Sequence, residues 1–153
     1  MPVNSGAQEL ADLARRLKDA GEGGLRRELY AGIRTAAEPV LGEIRAGLPA
    51  HMPHRYAGVL GTDLRLTASV RAGKTASVRL RGVTGRDRQI GRLDRGVLTH
   101  PLFGNRKHWF SQGPAGGGMA PGFFTGPIEH AAPQLRYAVL SAMRRTAEKI
   151  TRK

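Results

Sequence analysis

Between Thr62 and Arg81 the apolar residues change period, and that change restricts the architectures open to the chain. Leu64, Leu66, Ala68 and Val70 alternate with Asp63, Arg65, Thr67, Ser69 and Arg71. After Ala72-Gly73-Lys74 the alternation resumes, with Ala76, Val78 and Leu80 set against Thr75, Ser77, Arg79 and Arg81. A period of two places one set of side chains on each face of a strand, so this stretch predicts two strands joined by a Gly-containing hairpin. One face is apolar and rests on other elements; the other carries Arg65, Arg71, Arg79 and Arg81, with Lys74 at the turn.

On either side the spacing is helical. Leu10, Leu13, Leu17, Leu25, Leu29, Ile33, Val40, Ile44 and Leu48 form one apolar stripe between Ala7 and Leu48. Ser5 is a candidate N-cap, and Gly21, Gly23 and Gly24 predict either two helices or one kinked helix. Pro39 is expected to kink or end the second piece, and Gly47 with Pro49 to stop it. A last helix begins at Gly126-Pro127 with a stripe through Ile128, Leu135, Val139, Met143 and Ile150, and Pro133 is expected to kink it or delay its start. Its basic end, Arg144, Arg145, Lys149, Arg152 and Lys153, suits the negative pole of the helix dipole.

The order predicts an α+β fold: a long N-terminal helix, broken near Gly21–Gly24, a small antiparallel sheet with a central hairpin, and a C-terminal helix. A single domain over 1–153 is expected, with a helical region at 1–49, the sheet at 56–100, an aromatic and Gly-rich loop at 101–125 and the last helix at 126–151. A further strand is expected around Gly96–His100, after a charged loop.

Function classes narrow quickly. The chain has no cysteine, which excludes disulfides and thiolate metal sites. His51, His54, His100, His108 and His130 show none of the spacings that bind zinc, and His51-Met-Pro-His54 has no carboxylate nearby in sequence. Ser111 and Ser141 lack the flanking glycines of a nucleophile elbow, and Gly116-Gly117-Gly118 lacks the Lys-Ser/Thr of a phosphate loop. Asp87 and Asp94, in an Arg-rich stretch, make a poor pair for a two-metal nuclease. No catalytic residue, metal or cofactor is expected. No apolar run reaches the length of a membrane span, and the N-terminus does not read as a secretion signal, so a soluble protein made inside the cell is expected.

The net charge of +13 is uneven. Residues 1–54 balance seven Lys/Arg against seven Asp/Glu, whereas residues 55–108 carry twelve against three and residues 134–153 six against one. Such localisation points to a polyanion, nucleic acid first, or to an acidic protein. A solvated sheet face and an Arg-rich genome composition would give the same count.

Aromatics make up only 5% of the chain, yet HPLFGNRKHWFSQGP at 100–114 holds the only Trp with Phe103, Phe110, two His and two Pro. Leu98, His100-Pro101, Phe103-Gly104-Asn105, Trp109 and Gln112, then Pro121-Gly122-Phe123-Phe124 before an amphipathic helix, resemble the neck or tail-completion (minor tail component, head–tail connector) family of long-tailed bacteriophages and prophages. The long N-terminal helix and central hairpin agree with that family over nearly the whole chain. The resemblance implies a non-enzymatic virion protein, assembled in the host cytoplasm as a ring of six or twelve copies around double-stranded DNA. Its neighbours would be head-closure, tail-terminator or tail-tube proteins.

Pro101, Phe103, Trp109, Phe110, Phe123 and Phe124 are the candidate subunit and partner interface, since buried aromatics dominate interface energetics. The same rings could instead cap the core from a loop. Arg65, Arg71, Lys74, Arg79 and Arg81 are the candidate DNA-facing residues, and a free, non-sequence-specific nucleic-acid-binding protein is the second reading.

Overall fold

A computed structural model describes residues 5–72, 76–85, 89–116 and 119–152. In chain order the elements are α1 (Ser5–Asp19), α2 (Gly23–His51), α3 (His54–Asp63), β1 (Leu64–Ala72), β2 (Ala76–Thr84), α4 (Ile90–Asp94), β3 (Leu98–Leu102), β4 (Asn105–Gln112), a short 3-10 turn (Pro114–Gly116) and α5 (Thr125–Thr151). The fold is α+β, with long helices at both ends and two separate two-stranded antiparallel sheets, β1-β2 and β3-β4. It forms two compact units: Met1–Pro39, Thr67–Arg81 and Ala131–Lys153 in the first, Val40–Leu66 and Gly82–His130 in the second.

In the first unit Leu10, Ala11 and Leu17 of α1 meet Leu29 and Ile33 of α2 and Ala142 and Met143 of α5. Val70 of β1 and Val78 of β2 pack against this cluster, which fixes the apolar face of the hairpin and turns its arginines outward. The α1–α2 break has a definite cause. Gly21 adopts φ +73°, Glu22 N donates to Leu17 O (2.8 Å) and Gly21 N to Lys18 O (3.1 Å), the paired bonds of a Schellman motif. The left-handed residue costs little only because it is glycine.

The helix stops expected at Pro39 and at Gly47 with Pro49, and the delayed start expected from Pro133, need correction. Helix α2 runs through Pro39 and past Gly47 and Pro49 to His51. The stripe explains this: Ile33 and Ala37 before Pro39, and Val40, Ile44 and Leu48 after it, are all buried. Their burial, at about 1.5–3 kcal/mol for each large side chain, outweighs the roughly 3 kcal/mol a proline costs in a helix interior. Pro133 likewise lies inside α5, whose bounds match the expected helix.

The 56–100 region is not all sheet. Helix α3 occupies its start and the five-residue α4 interrupts it. The 101–125 region is not a loop at its beginning, because it contains the end of β3 and the whole of β4. Residues 117 and 118 of the glycine run, and 86–88 of the charged stretch with Asp87, lie outside the described residues.

In the second unit Ile44 and Leu48 of α2, Leu60 of α3, Leu93 of α4, Leu98 of β3, Met119 and Phe123 are buried. Phe123 is its largest fully buried side chain, and it meets Phe124 edge to face at 6.2 Å. A Cβ built on Gly82 would lie 3.0 Å from Ile90 Cδ1 and 3.2 Å from Phe124 Cε2, so glycine at this point of β2 makes room for the Phe124 ring. The open carbonyls at the end of α3 are closed by Arg45, which donates Nη1 to Gly61 O (2.6 Å) and Nη2 to Leu64 O (2.9 Å).

Asp94 connects these parts. Its backbone oxygen accepts from Gly122 N (2.7 Å), and its carboxylate Oδ1 accepts from Phe124 N (2.7 Å) and Thr125 N (3.1 Å). Gly126 N donates to Gly122 O (3.0 Å), and Pro127 brings no N–H. The amides at the start of α5 are therefore satisfied by a carboxylate thirty residues away in sequence, and a negative charge sits at the positive pole of the helix. Immediately downstream, Gly96 (φ +78°) ends α4 with a second Schellman pair, Val97 N to Arg92 O and Gly96 N to Leu93 O, both 2.9 Å, and directs the chain into β3.

Replacing Asp94 by Ala strands two amides and should lower stability by about 1–3 kcal/mol in urea unfolding, with Asp94→Asn retaining part of the loss because an amide oxygen still accepts. Phe123→Ala should cost about 3–5 kcal/mol, the range for emptying a buried aromatic site.

Candidate functional site

Strands β3 and β4 pair antiparallel, Leu98 with Gln112, Thr99 with Ser111, His100 with Phe110 and Pro101 with Trp109. The next pair is Leu102 with Asn105, so the register slips. Arg106, Lys107 and His108 have no partners on β3 and form a bulge of basic residues beside the turn. Side chains stitch this bulge: Lys107 N donates to Asn105 Oδ1 (3.0 Å), and the Trp109 indole Nε1–H donates to Arg106 O (2.9 Å). The indole is held against the bulge by its own hydrogen bond.

The two-residue turn is Phe103-Gly104, with φ of +48° and +77°. Positive φ at both central residues matches the twist of a two-residue hairpin, and Asn-Gly or Asp-Gly normally supplies it. Phe103 occupies the first of these positions although a Cβ is strained there. Its side chain is 98% exposed, so no local packing offsets the strain.

Around the turn Trp109 is 62% exposed, Phe110 50% and Leu102 42%. Pairing sets the faces: Thr99, Pro101, Trp109 and Ser111 share one, with Thr99 Oγ1 and Ser111 Oγ hydrogen bonded at 3.1 Å. His100 and Phe110 share the other, their rings edge to face at 5.8 Å. Seven of the eight positions of β4 are exposed, so both faces of this strand meet solvent. A free two-stranded ribbon with exposed rings on both faces is marginal in water, and such surface ordinarily marks a contact.

Beside the hairpin lies a cleft of about 640 Å³, bordered by Tyr56 of α3, Arg92 of α4 and His100, Pro101, Arg106 and Trp109 of the hairpin. Leu93 and Leu98, both buried, form its apolar floor.

The six aromatic-segment candidates therefore divide. Phe103, Trp109 and Phe110 lie exposed on the hairpin, and Pro101, half-buried, lines the cleft. Phe123 is a correction: it is fully buried in the core and offers no surface, because Asp94 draws the 122–125 backbone inward. Phe124 is half-buried against Gly82. Of the basic candidates, Arg71, Arg79 and Arg81 are exposed on the outward face of their strands in the first unit, and Arg65 is exposed on β1 in the second. Lys74 lies outside the described residues.

Sequence reasoning missed the Arg106–His108 bulge, the cleft arginine Arg92 and the tie at Asp94. Only Gly96, a glycine after a charged turn, carried a readable signal, as a helix stop. His51 is accounted for structurally, since its Nδ1 bonds Ala120 O (3.2 Å) while its backbone oxygen accepts from Ala120 N (2.7 Å). Among the described residues no group of three His, Asp or Glu is placed to hold a metal ion, and no helix is long and apolar enough to cross a membrane.

Phe103→Asn converts the turn to Asn-Gly and removes a side chain that touches little. The isolated chain should become more stable by about 0.5–1 kcal/mol in thermal or urea unfolding. A loss of stability of that size would show that Phe103 packs within its own chain.

No protein-family model matches the chain, and no curated protein or solved structure matches it significantly.

Proposed function

We propose that the chain is a structural subunit of a phage head–tail connector of the tail-completion type, assembling as a ring around the DNA channel and acting by contact, not catalysis. The observation that carries this reading is the β3-β4 hairpin. It holds Phe103 in a strained left-handed turn with its ring in solvent, and exposes Trp109 and Phe110 on opposite faces of one strand. Strain and exposure of this kind persist where another molecule repays them. The resemblance in sequence runs through the same hairpin, Leu98 to Gln112, and continues beyond it in Pro121 to Phe124.

In this reading a neighbouring copy, or the adjoining head-closure, tail-terminator or tail-tube protein, covers the hairpin. Six copies are expected, with twelve as the other closed ring. Each anchoring aromatic would contribute about 2 kcal/mol or more to the contact. The location is the neck of the virion, reached after assembly in the host cytoplasm.

A second reading rests on Arg71, Arg79 and Arg81, exposed together on the face of β1 and β2 away from the core. It makes the chain a nucleic-acid-binding protein without sequence preference. In a ring the same face could meet the DNA backbone; in a free protein it would bind duplex DNA tightly. The free protein predicts a steep salt dependence, with the log–log slope falling by about 0.9 for each phosphate-contacting arginine changed to Gln.

The deciding experiment is the mass of the purified chain by native mass spectrometry, together with electron microscopy of phage particles. A closed ring located in the neck is expected. Trp109→Ala and Phe103→Asn should keep the circular dichroism of the parent chain and lose the ring. An obligate monomer absent from particles would overturn the proposal, and unfolding of Trp109→Ala would place that ring in the core instead.

A further inference from the structure

The cleft beside the hairpin has a chemistry of its own, open in the chain before another molecule covers the hairpin. Its volume of about 640 Å³ lies within the roughly 300–1,000 Å³ of small-molecule sites. Among the described residues its charged border is cationic, with Arg92 and Arg106 and no Asp or Glu. Arg92 donates Nη1 to a neutral partner, Gln89 Oε1 (3.3 Å), and among the described residues no carboxylate pairs with either arginine. A guanidinium without a carboxylate presents its fork of donors to an incoming anion.

The rest of the border is aromatic. Trp109 and Tyr56 both face the cleft volume, and Trp109 is fixed in orientation by its bond to Arg106 O, on the residue that supplies one of the two cations. His100, also at the border, is held edge-on by Phe110. Such prior ordering reduces the entropy lost when a ligand binds. A flat ring with an attached anion uses every part of this border: the ring stacks on the indole, and the anion meets the guanidinium groups. An aliphatic acidic side chain would use the arginines and leave the aromatic walls wet.

We propose that this cleft binds one nucleotide unit, a planar base stacked on Trp109 with its phosphate held by Arg92 and Arg106. The unit comes either from a free mononucleotide or from an unpaired position in a single strand, since both present the same base and phosphate.

Trp109 is the only tryptophan of the chain, so its emission reports on the cleft alone. The test titrates the full chain with adenosine monophosphate, with a five-residue single-stranded oligoadenylate and with a five-residue oligoglutamate, following Trp109 fluorescence at low salt. Saturable quenching by the monophosphate or the oligoadenylate is expected, weakened at least fivefold by Arg92→Gln and by Arg106→Gln and unchanged by Arg136→Gln on α5. A tenfold preference for the oligoadenylate identifies the strand as the source, and equal or tighter binding of the monophosphate identifies the free nucleotide. The proposal is overturned if neither adenine ligand quenches saturably, if quenching ignores both arginine substitutions, or if oligoglutamate binds more tightly than either. An oligoadenylate bound without any change at Trp109 also overturns it, since the strand then sits elsewhere.

Discussion

The carboxylate of Asp94 organises the second unit. A helix start leaves amides that need acceptors, and the residues just ahead of α5, Pro121-Gly122-Phe123-Phe124, offer no side-chain acceptor of their own. Asp94 supplies one from the end of α4, taking Phe124 N and Thr125 N, while its backbone takes Gly122 N. Three bonds on one residue fix where the chain between them must run. Phe123 is thereby placed in the core and Phe124 against Gly82, where a Cβ would leave too little room. Two residues after Asp94, Gly96 turns the chain into β3, and a Cβ there would meet Pro114 Cγ at 2.9 Å. The path into the hairpin is set within three residues.

That anchorage explains how the hairpin can be so open. A two-stranded ribbon has too little buried surface to hold itself together in water. Here Leu98 is buried at the root of β3, and the closing contacts near the turn come from polar stitches, Asn105 to Lys107 N and Trp109 to Arg106 O. Stability enters from the root, and the tip is free to carry residues chosen for other reasons. The strained Phe103 and the three-residue basic bulge are tolerable for this reason. In a strand whose faces were both needed for the core, either would cost more than it could return.

How much of this could be read from the sequence depends on whether one face of an element is buried. The β1-β2 hairpin was legible because Val70 and Val78 pack on helices while Arg71 and Arg79 face water, which writes a period of two into the residues. The helical stripes of α1, α2 and α5 were legible on the same ground, and so was the Gly21 break. Strand β4 was not, because seven of its eight positions are exposed and NRKHWFSQ has no alternation to detect. Helix α4 was hidden by its five-residue length, and α3 by Gly58 and Gly61 within ten residues. Prolines misled in α2 because local propensity is weaker than a continuous buried stripe. At the site, the sequence marked the aromatic residues but could not divide them. Phe123 and Trp109 are alike in composition and differ only in what Asp94 and the β4 bulge do to their backbones.

The bulge also resolves why basic and aromatic residues occupy one short segment. In a regular ladder Arg106 and His108 would share a face and Lys107 would lie on the other, and each would need a neighbour on β3. Slipping the register removes all three from the ladder and sets them beside the turn, where Arg106 borders the cleft and anchors the indole through its carbonyl. Cation and ring are then positioned by one structural event. A contact that buried the rings alone would have no use for the bulge, since a regular strand presents Trp109 and Phe110 equally well. A surface that meets an anion next to a flat apolar group requires both, and the slip in register is the least change to a hairpin that provides them together.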